Sequence, residues 1–205
     1  MNTDAVLLVI DVQNDFLPGG ALAVPRGDEV IAVINRLATG FANVILTQDW
    51  HPAGHVSFAS HHAGRRPFES IELPYGKQVL WPDHCVQGTP GAQFADTLQV
   101  THAQAVIRKG YHAHTDSYSA FVEADRATPT GLAGLLRERG IRRVHCCGLA
   151  TDFCVAWSAL DAQAAGFEAM VIDDACRAID AGGSLAAARR NLAAAGVKTI
   201  AAASF

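Results

Sequence analysis

Three separated segments each finish an apolar run close to one reactive side chain: Asp11 after Ala5–Ile10, Lys109 after Gln104–Arg108, and Cys154 beyond Arg143–Gly148. A thiol attacks a carbonyl carbon only as thiolate, a form that a nearby ammonium or a helix N-terminus stabilises. Asp11 could take the thiol proton and later hand it to a departing amine. Lys109 would keep Asp11 ionised and hold the thiolate once it forms. Backbone N–H groups of Ala150 and Cys154, free at a helix start, could receive the oxyanion of a tetrahedral intermediate. Taken singly, Asp11 could cap a turn, Lys109 could be a solvated lysine and Cys154 a core thiol. At three strand ends facing one crevice, they describe covalent cleavage of an amide by sulfur.

A second group lies in Gln48-Asp49-Trp50-His51-Pro52 and in Trp81-Pro82-Asp83-His84-Cys85. Asp49 and His51 are two apart, so in extended chain they project to the same side and can grip one ion. His84 could supply a third ligand. One carboxylate and two imidazoles suit Zn, Fe(II) or Mn rather than Ca or Mg, and leave positions open for water or substrate. The Asp-x-His pair alone would be a weak signal.

The elements that must carry these residues alternate. Nearly continuous apolar runs at Ala5–Ile10, Asn43–Gln48, Gln104–Arg108, Arg143–Gly148, Phe167–Ile172 and Val197–Ala202 predict strands covered on both faces. Between them, Asp28–Thr39, Gly131–Arg139, Thr151–Ala165 and Gly182–Ala195 predict helices, with Gly140, Gly166 and Gly196 placed as left-handed C-terminal caps. Strand–helix–strand units imply right-handed crossovers, hence an α/β, Rossmann-like three-layer fold around a mostly parallel six-stranded sheet. Ligands bind such sheets outside the carboxyl ends of the strands, where the reactive residues stand. From Asp49 to about Thr101 the chain is rich in Pro, Gly and His and holds five of the nine histidines. So long an irregular stretch reads as a functional insertion within one 1–205 domain.

Composition narrows the classes. The chain has 205 residues, 50% hydrophobic and 18% charged, a globular balance for one domain. A net charge of −4 offers no electrostatic reason for a nucleic-acid or anionic-membrane partner. The apolar runs are too short to span a bilayer, and the N-terminus lacks a signal-peptide pattern. Five cysteines, two of them adjacent at 146 and 147, argue against a disulfide framework and for a reducing cytosol. The turn after the first strand has no G-x-G-x-x-G, which argues against a noncatalytic nucleotide-binding module. A homo-oligomer stays open.

In order along nearly the whole chain, Ile10-Asp11-Val12-Gln13-Asn14-Asp15-Phe16, the Asp-Trp-His and Trp-Pro-Asp-His-Cys segments, Arg108-Lys109-Gly110 and Gly148-Leu149-Ala150-Thr151-Asp152-Phe153-Cys154-Val155 resemble the nicotinamidase (pyrazinamidase) family of isochorismatase-like cysteine hydrolases. The aspartate, lysine and cysteine segments match the wider superfamily, and the two histidine segments the narrower family. The resemblance implies Asp11, Lys109 and Cys154 as catalytic triad, and Asp49, His51 and His84 as ligands of one divalent transition metal, zinc first, with iron or manganese as alternatives. It implies Phe16, Trp81 and Tyr118 around a pyridine ring, with Leu149 completing the apolar wall. The Leu149–Ala150 peptide matches one that is cis in the family. Nicotinamide, held by its ring nitrogen at the metal, is the implied substrate, with pyrazinamide as an accidental one. An isochorismatase-like enzyme acting on another small amide or carbamoyl compound is the alternative. His55 lies where some members recruit a further ligand; here it reads as standing behind the ligand set or in solvent.

Overall fold

The computed structural model describes residues 3–205. Strands β1 (Ala5–Ile10), β2 (Asn43–Asp49), β5 (Ala105–Lys109), β6 (Arg143–Leu149), β7 (Glu168–Arg177) and β8 (Lys198–Ile200) form one parallel sheet in the order β5-β2-β1-β6-β7-β8. β1 is buried along its whole length and reads Ala-Val-Leu-Leu-Val-Ile, as a central strand covered on both faces must. Each of its fully buried Leu and Ile side chains is worth about 1.5–3 kcal/mol of apolar burial.

Four helices supply the cover: α1 (Glu29–Ala38), α2 (Leu132–Glu138), α3 (Ala156–Ala164) and α4 (Ser184–Ala194). In α1, Val30, Ile31, Ile34, Leu37 and Ala38 are the buried residues, spaced to make one face of a 3.6-residue helix. Gly140, Gly166 and Gly196 follow α2, α3 and the last helix with φ of 70°, 90° and 77°, the left-handed caps the sequence calls for.

Several boundaries differ from expectation. β7 runs on to Arg177 because the strand bulges: its register against β6 breaks between Cys146 and Gly148. The bulge turns Asp174 out to accept the Ala202 N–H, at 2.7 Å, and Asp173 toward Arg189. Taking up Ala202 in this way also ends β8 at Ile200, short of the expected Ala202. The expected helix Thr151–Ala165 is two pieces, a π-helical turn over Thr151–Val155 and then α3. The carbonyl of Ala150 accepts from both Phe153 and Val155, each at 3.1 Å, which widens that first turn. The long insertion is not structureless: it carries an antiparallel hairpin, β3 (Ser70–Leu73) and β4 (Gly76–Val79), and short 3-10 turns. Among the described residues no helix is long and apolar enough to cross a membrane.

Candidate active site

β1, β5 and β6 bring their carboxyl ends to one point, and the register does the bringing. Ile10 pairs with Gly148, whose φ of 115° and missing side chain let the two backbones close: a Cβ there would sit 2.1 Å from the Ile10 carbonyl oxygen. Asp11 then follows in the left-handed region, φ 50°. Its N–H donates to Thr47 Oγ1 at 3.2 Å, and the same hydroxyl donates back to Asp11 Oδ1 at 2.6 Å. The carboxylate is thereby locked with Oδ2 facing Lys109 Nζ at 2.8 Å.

Lys109 is fully buried and is the hub of the site. Its Nζ contacts Asp11, Asp49, the Ser117 carbonyl at 3.0 Å and Cys154 Sγ at 3.4 Å. Asp49 and Lys109 are directly paired residues of β2 and β5, so the parallel register itself produces the second ion pair. Burial favours the neutral amine, but Asp11, Asp49 and Cys154 outweigh it and hold the ammonium well above the ordinary lysine value. Two buried carboxylates share this one ammonium, which leaves the cluster short of positive charge. Burial foremost, with the Asp11 carboxylate adding and Lys109 opposing, pushes the Asp49 carboxyl up to about 8.

The Cys154 thiol is buried, and that burial, reinforced by Asp11 and Asp49, pushes it well above the usual thiol value; Lys109 only opposes the rise. The resting group is held as a neutral thiol with a carboxylate beside it to take its proton. One oxygen of each of Asp11 and Asp49 lies within 4.8 Å of the sulfur.

Asp49, His51 and His84 also converge, with all three donor atoms within 4.8 Å of one another. His51 Nδ1 faces the Gly110 carbonyl at 2.8 Å and His84 Nδ1 faces that of Pro82 at 2.8 Å. Carbonyls only accept, so both Nδ1 atoms carry the proton and both Nε2 atoms present lone pairs. These Nε2 atoms lie 3.8 and 4.0 Å from Asp49 Oδ2. Ligands about 2 Å from a common ion stand about 3–4 Å apart, so the spacing, the tautomers and the charge deficit all fit a divalent cation. Burial holds both imidazoles below their ordinary value, hence neutral.

Gly110 makes this possible. With φ 64°, its missing Cβ would lie 2.4 Å from His51 Cε1. Gly110→Ala should therefore push the His51 ring off its carbonyl and weaken metal binding about 10–100-fold, measured by competition with a chromophoric chelator. Unchanged affinity would mean that His51 does not need this seat.

His55 is fully buried behind His51, ring centroids 4.3 Å apart, with Nδ1 on Ser57 Oγ at 2.7 Å and Nε2 near the carbonyls of His112 and Thr115. It braces the ligand ring and is not in solvent. The motif around Asp11 does more than its first residue suggests. Gln13 clamps the Asp49 backbone through Oε1 and Nε2, both at 2.8 Å, and Asp15 accepts the Cys85 N–H at 2.7 Å beside His84.

A pocket opens over these groups, with about 350 Å³ of empty space that includes open solvent. Phe16, Trp81, Tyr118, Ala150 and Cys154 line it, together with Asp49, His51 and His84. Trp81 Nε1 donates to the Tyr118 hydroxyl at 3.0 Å, which ties two of the aromatic walls together. Leu149 does not line the pocket. It is buried on the other side of its strand end, with Cδ1 packed toward Gly27, and Leu22, Phe153 and Ile179 provide the apolar wall instead. The alternation of side chains along β6 turns Leu149 away. The Leu149–Ala150 peptide is cis, and the Ala150 N–H has no backbone acceptor among the described residues.

Residues 5–204 match the family described as the isochorismatase domain. The chain is 57% identical over 197 residues to the nicotinamidase of Acinetobacter baylyi, covering 96% of this chain and 92% of that one. Its structure is similar to that of the Acinetobacter baumanii nicotinamidase/pyrazinamidase, with TM-score 0.99 and 56% identity, covering 100% and 99% of the two chains. It is also similar to the pyrazinamidase of Pyrococcus horikoshii solved in complex with zinc, with TM-score 0.80 and 35% identity over 97% and 99%. The fold, the family match and these relatives agree: the chain belongs to the isochorismatase family, in its nicotinamidase branch.

Proposed function

We propose that this protein hydrolyses nicotinamide to nicotinate and ammonia, as an amidohydrolase with Cys154 as its nucleophile. The observation that carries the reading is the single pocket on which Cys154, its flanking Asp11 and Lys109, and the Asp49–His51–His84 set all converge. Relatives named as nicotinamidases at 57% and 46% identity support it.

In this reading Asp11 takes the Cys154 proton as sulfur attacks the amide carbon, so charge is moved rather than stored in a resting thiolate. The N–H groups of Ala150 and Cys154 receive the oxyanion. Asp11 then gives its proton to the amide nitrogen, ammonia leaves, and a thioester remains on Cys154. Asp11 next removes a proton from water as that water attacks the thioester, which frees the acid and restores the thiol. Lys109 faces the Asp11 carboxylate at 2.8 Å as its counter-charge. Phe16, Trp81 and Tyr118 hold the ring and exclude water. Asp49, His51 and His84 would hold one divalent transition metal, zinc first, which when bound supplies a Lewis-acidic anchor for the ring nitrogen. Pyrazinamide, which also offers a ring nitrogen and a carboxamide, fits the same pocket. We take 1–205 as one hydrolase domain acting in a reducing cytosol, a setting that five free thiols support.

The test is ammonia release from nicotinamide by the purified protein, before and after stripping with a chelator. Activity that falls at least about tenfold on chelation and returns with Zn, Fe(II) or Mn is expected. No ammonia from the metal-replete protein would refute the substrate; full activity in the stripped protein would remove the metal from the reaction.

A further inference from the structure

Beyond Cys154 and the ligand set, the pocket is lined by a second carboxylate besides Asp49. Asp116 is buried and lines the cavity. Its Oδ1 accepts the Ser117 N–H at 2.8 Å and its Oδ2 accepts Gln78 Nε2 at 2.6 Å. Both donors are neutral, and among the described residues no Lys, Arg or His side chain is ion-paired to it. Gln78 is itself almost fully buried on the insertion hairpin; its amide also donates to the Val79 carbonyl at 2.7 Å, while its Oε1 accepts the Tyr75 hydroxyl at 3.0 Å. A set of hydrogen bonds thus fixes a carboxylate acceptor in the wall of the pocket. A buried carboxylate without a cation is costly and is retained where something uses it.

Its place in the pocket says what that use is. Three overlapping clusters, each with donor atoms within 4.8 Å of one another, run Asp11–Asp49–Cys154, then Asp49–His51–His84, then His51–His55–Asp116. They share Asp49 and then His51, and so trace a path from the nucleophile to Asp116. We take a substrate whose amide carbon is at Cys154 to lie along this path, with the opposite edge of its ring toward Asp116.

We propose that Asp116 is a specificity-determining residue that reads the ring edge remote from the amide, admitting hydrogen-bond donors there and excluding anionic substituents. A ring carrying an amino group para to its carboxamide meets an acceptor; one carrying a carboxylate there meets a like charge in a site shielded from water. The proposal rests on the amide-hydrolysis reading of the same site and specifies which ring amides it takes.

The experiment compares kcat/KM for the para-amino and para-carboxy derivatives of nicotinamide, each divided by the value for nicotinamide on the same enzyme preparation. Wild type is compared with Asp116→Asn and Asp116→Ser, with metal content and thermal unfolding recorded for each. The wild-type protein should prefer the amino over the carboxy compound, and both variants should lower that normalised preference roughly tenfold. A preference that stays the same in a folded variant overturns the proposal. So does a parallel loss on all three substrates accompanied by metal loss, which would assign Asp116 to the ligand set instead. If neither variant folds, Gln78→Leu, which frees Asp116 Oδ2 without removing it, should shift the same ratio, and an unshifted ratio overturns the proposal. Should the wild type release no ammonia from nicotinamide, the amide reading fails by itself. Calorimetric binding of the amino and carboxy compounds then decides the charge preference in the same way.

Discussion

Cys154→Ala is expected to abolish ammonia release from nicotinamide, with a loss of at least about 10⁴-fold, the scale seen when a covalent nucleophile is removed. The side chain is small, buried and bonded to no backbone group among the described residues, so the alanine protein should fold. Because the resting thiol is neutral, its removal strands no charge, and the variant should bind nicotinamide without turning it over. Mass spectrometry of wild type quenched during turnover should show the thioester adduct, and the alanine protein should lack it. Ammonia released at a comparable rate by both proteins would remove Cys154 from the reaction.

The second large effect belongs to Lys109. Replacing it by methionine keeps most of the volume and deletes the one ammonium that faces Asp11, Asp49 and Cys154. Breaking a buried ion pair from one side leaves an unpaired charge and costs about 3–5 kcal/mol. Here two carboxylates are stranded, so one of them should take up a proton. Lys109→Met should lower the urea midpoint accordingly and reduce turnover about 10³-fold or more, since Asp11 then loses the cation its carboxylate faces. Adding Asp11→Asn to Lys109→Met should recover a kcal/mol or more of stability, because one stranded charge is gone, while turnover stays lost. A single variant as stable as wild type would show that Lys109 is not the counter-charge. A double variant no more stable than the single would locate the cost elsewhere.

Both effects come from residues that sequence alone singles out, and the reason is positional. Carboxyl ends of parallel strands point into one crevice whatever the details of the sheet. A carboxylate, a lysine and a cysteine that end or follow apolar runs are therefore already neighbours in expectation. The alternation of apolar runs and helical stretches likewise settles the layers, and glycines at helix ends settle where α2, α3 and α4 stop. Local chemistry was legible too in Asp49-x-His51, because two residues apart in extended chain fixes a shared side.

What the chain does not disclose until it folds is everything that depends on register and burial. That Asp49 pairs with Lys109 follows from which residue of β2 lies opposite which residue of β5, a choice made by the whole sheet. That Leu149 faces away from the pocket and Phe153 into it follows from the strand end and the wide turn after it, a shift of a few residues that hydrophobicity cannot distinguish. Gln13, Thr47, Asp15 and Gln78 are ordinary polar residues in sequence; only long-range contacts make them the clamps of Asp49, Asp11, Cys85 and Asp116. The charge state of Cys154 is the sharpest case. Residue types near it offer an ammonium and a helix start that would hold the thiolate once it forms. The folded protein surrounds it with desolvation and two carboxylates, and these outweigh the ammonium. Type and spacing determine which groups can meet. Dielectric, register and the sum of neighbouring charges, which exist only in three dimensions, determine what those groups are when they do.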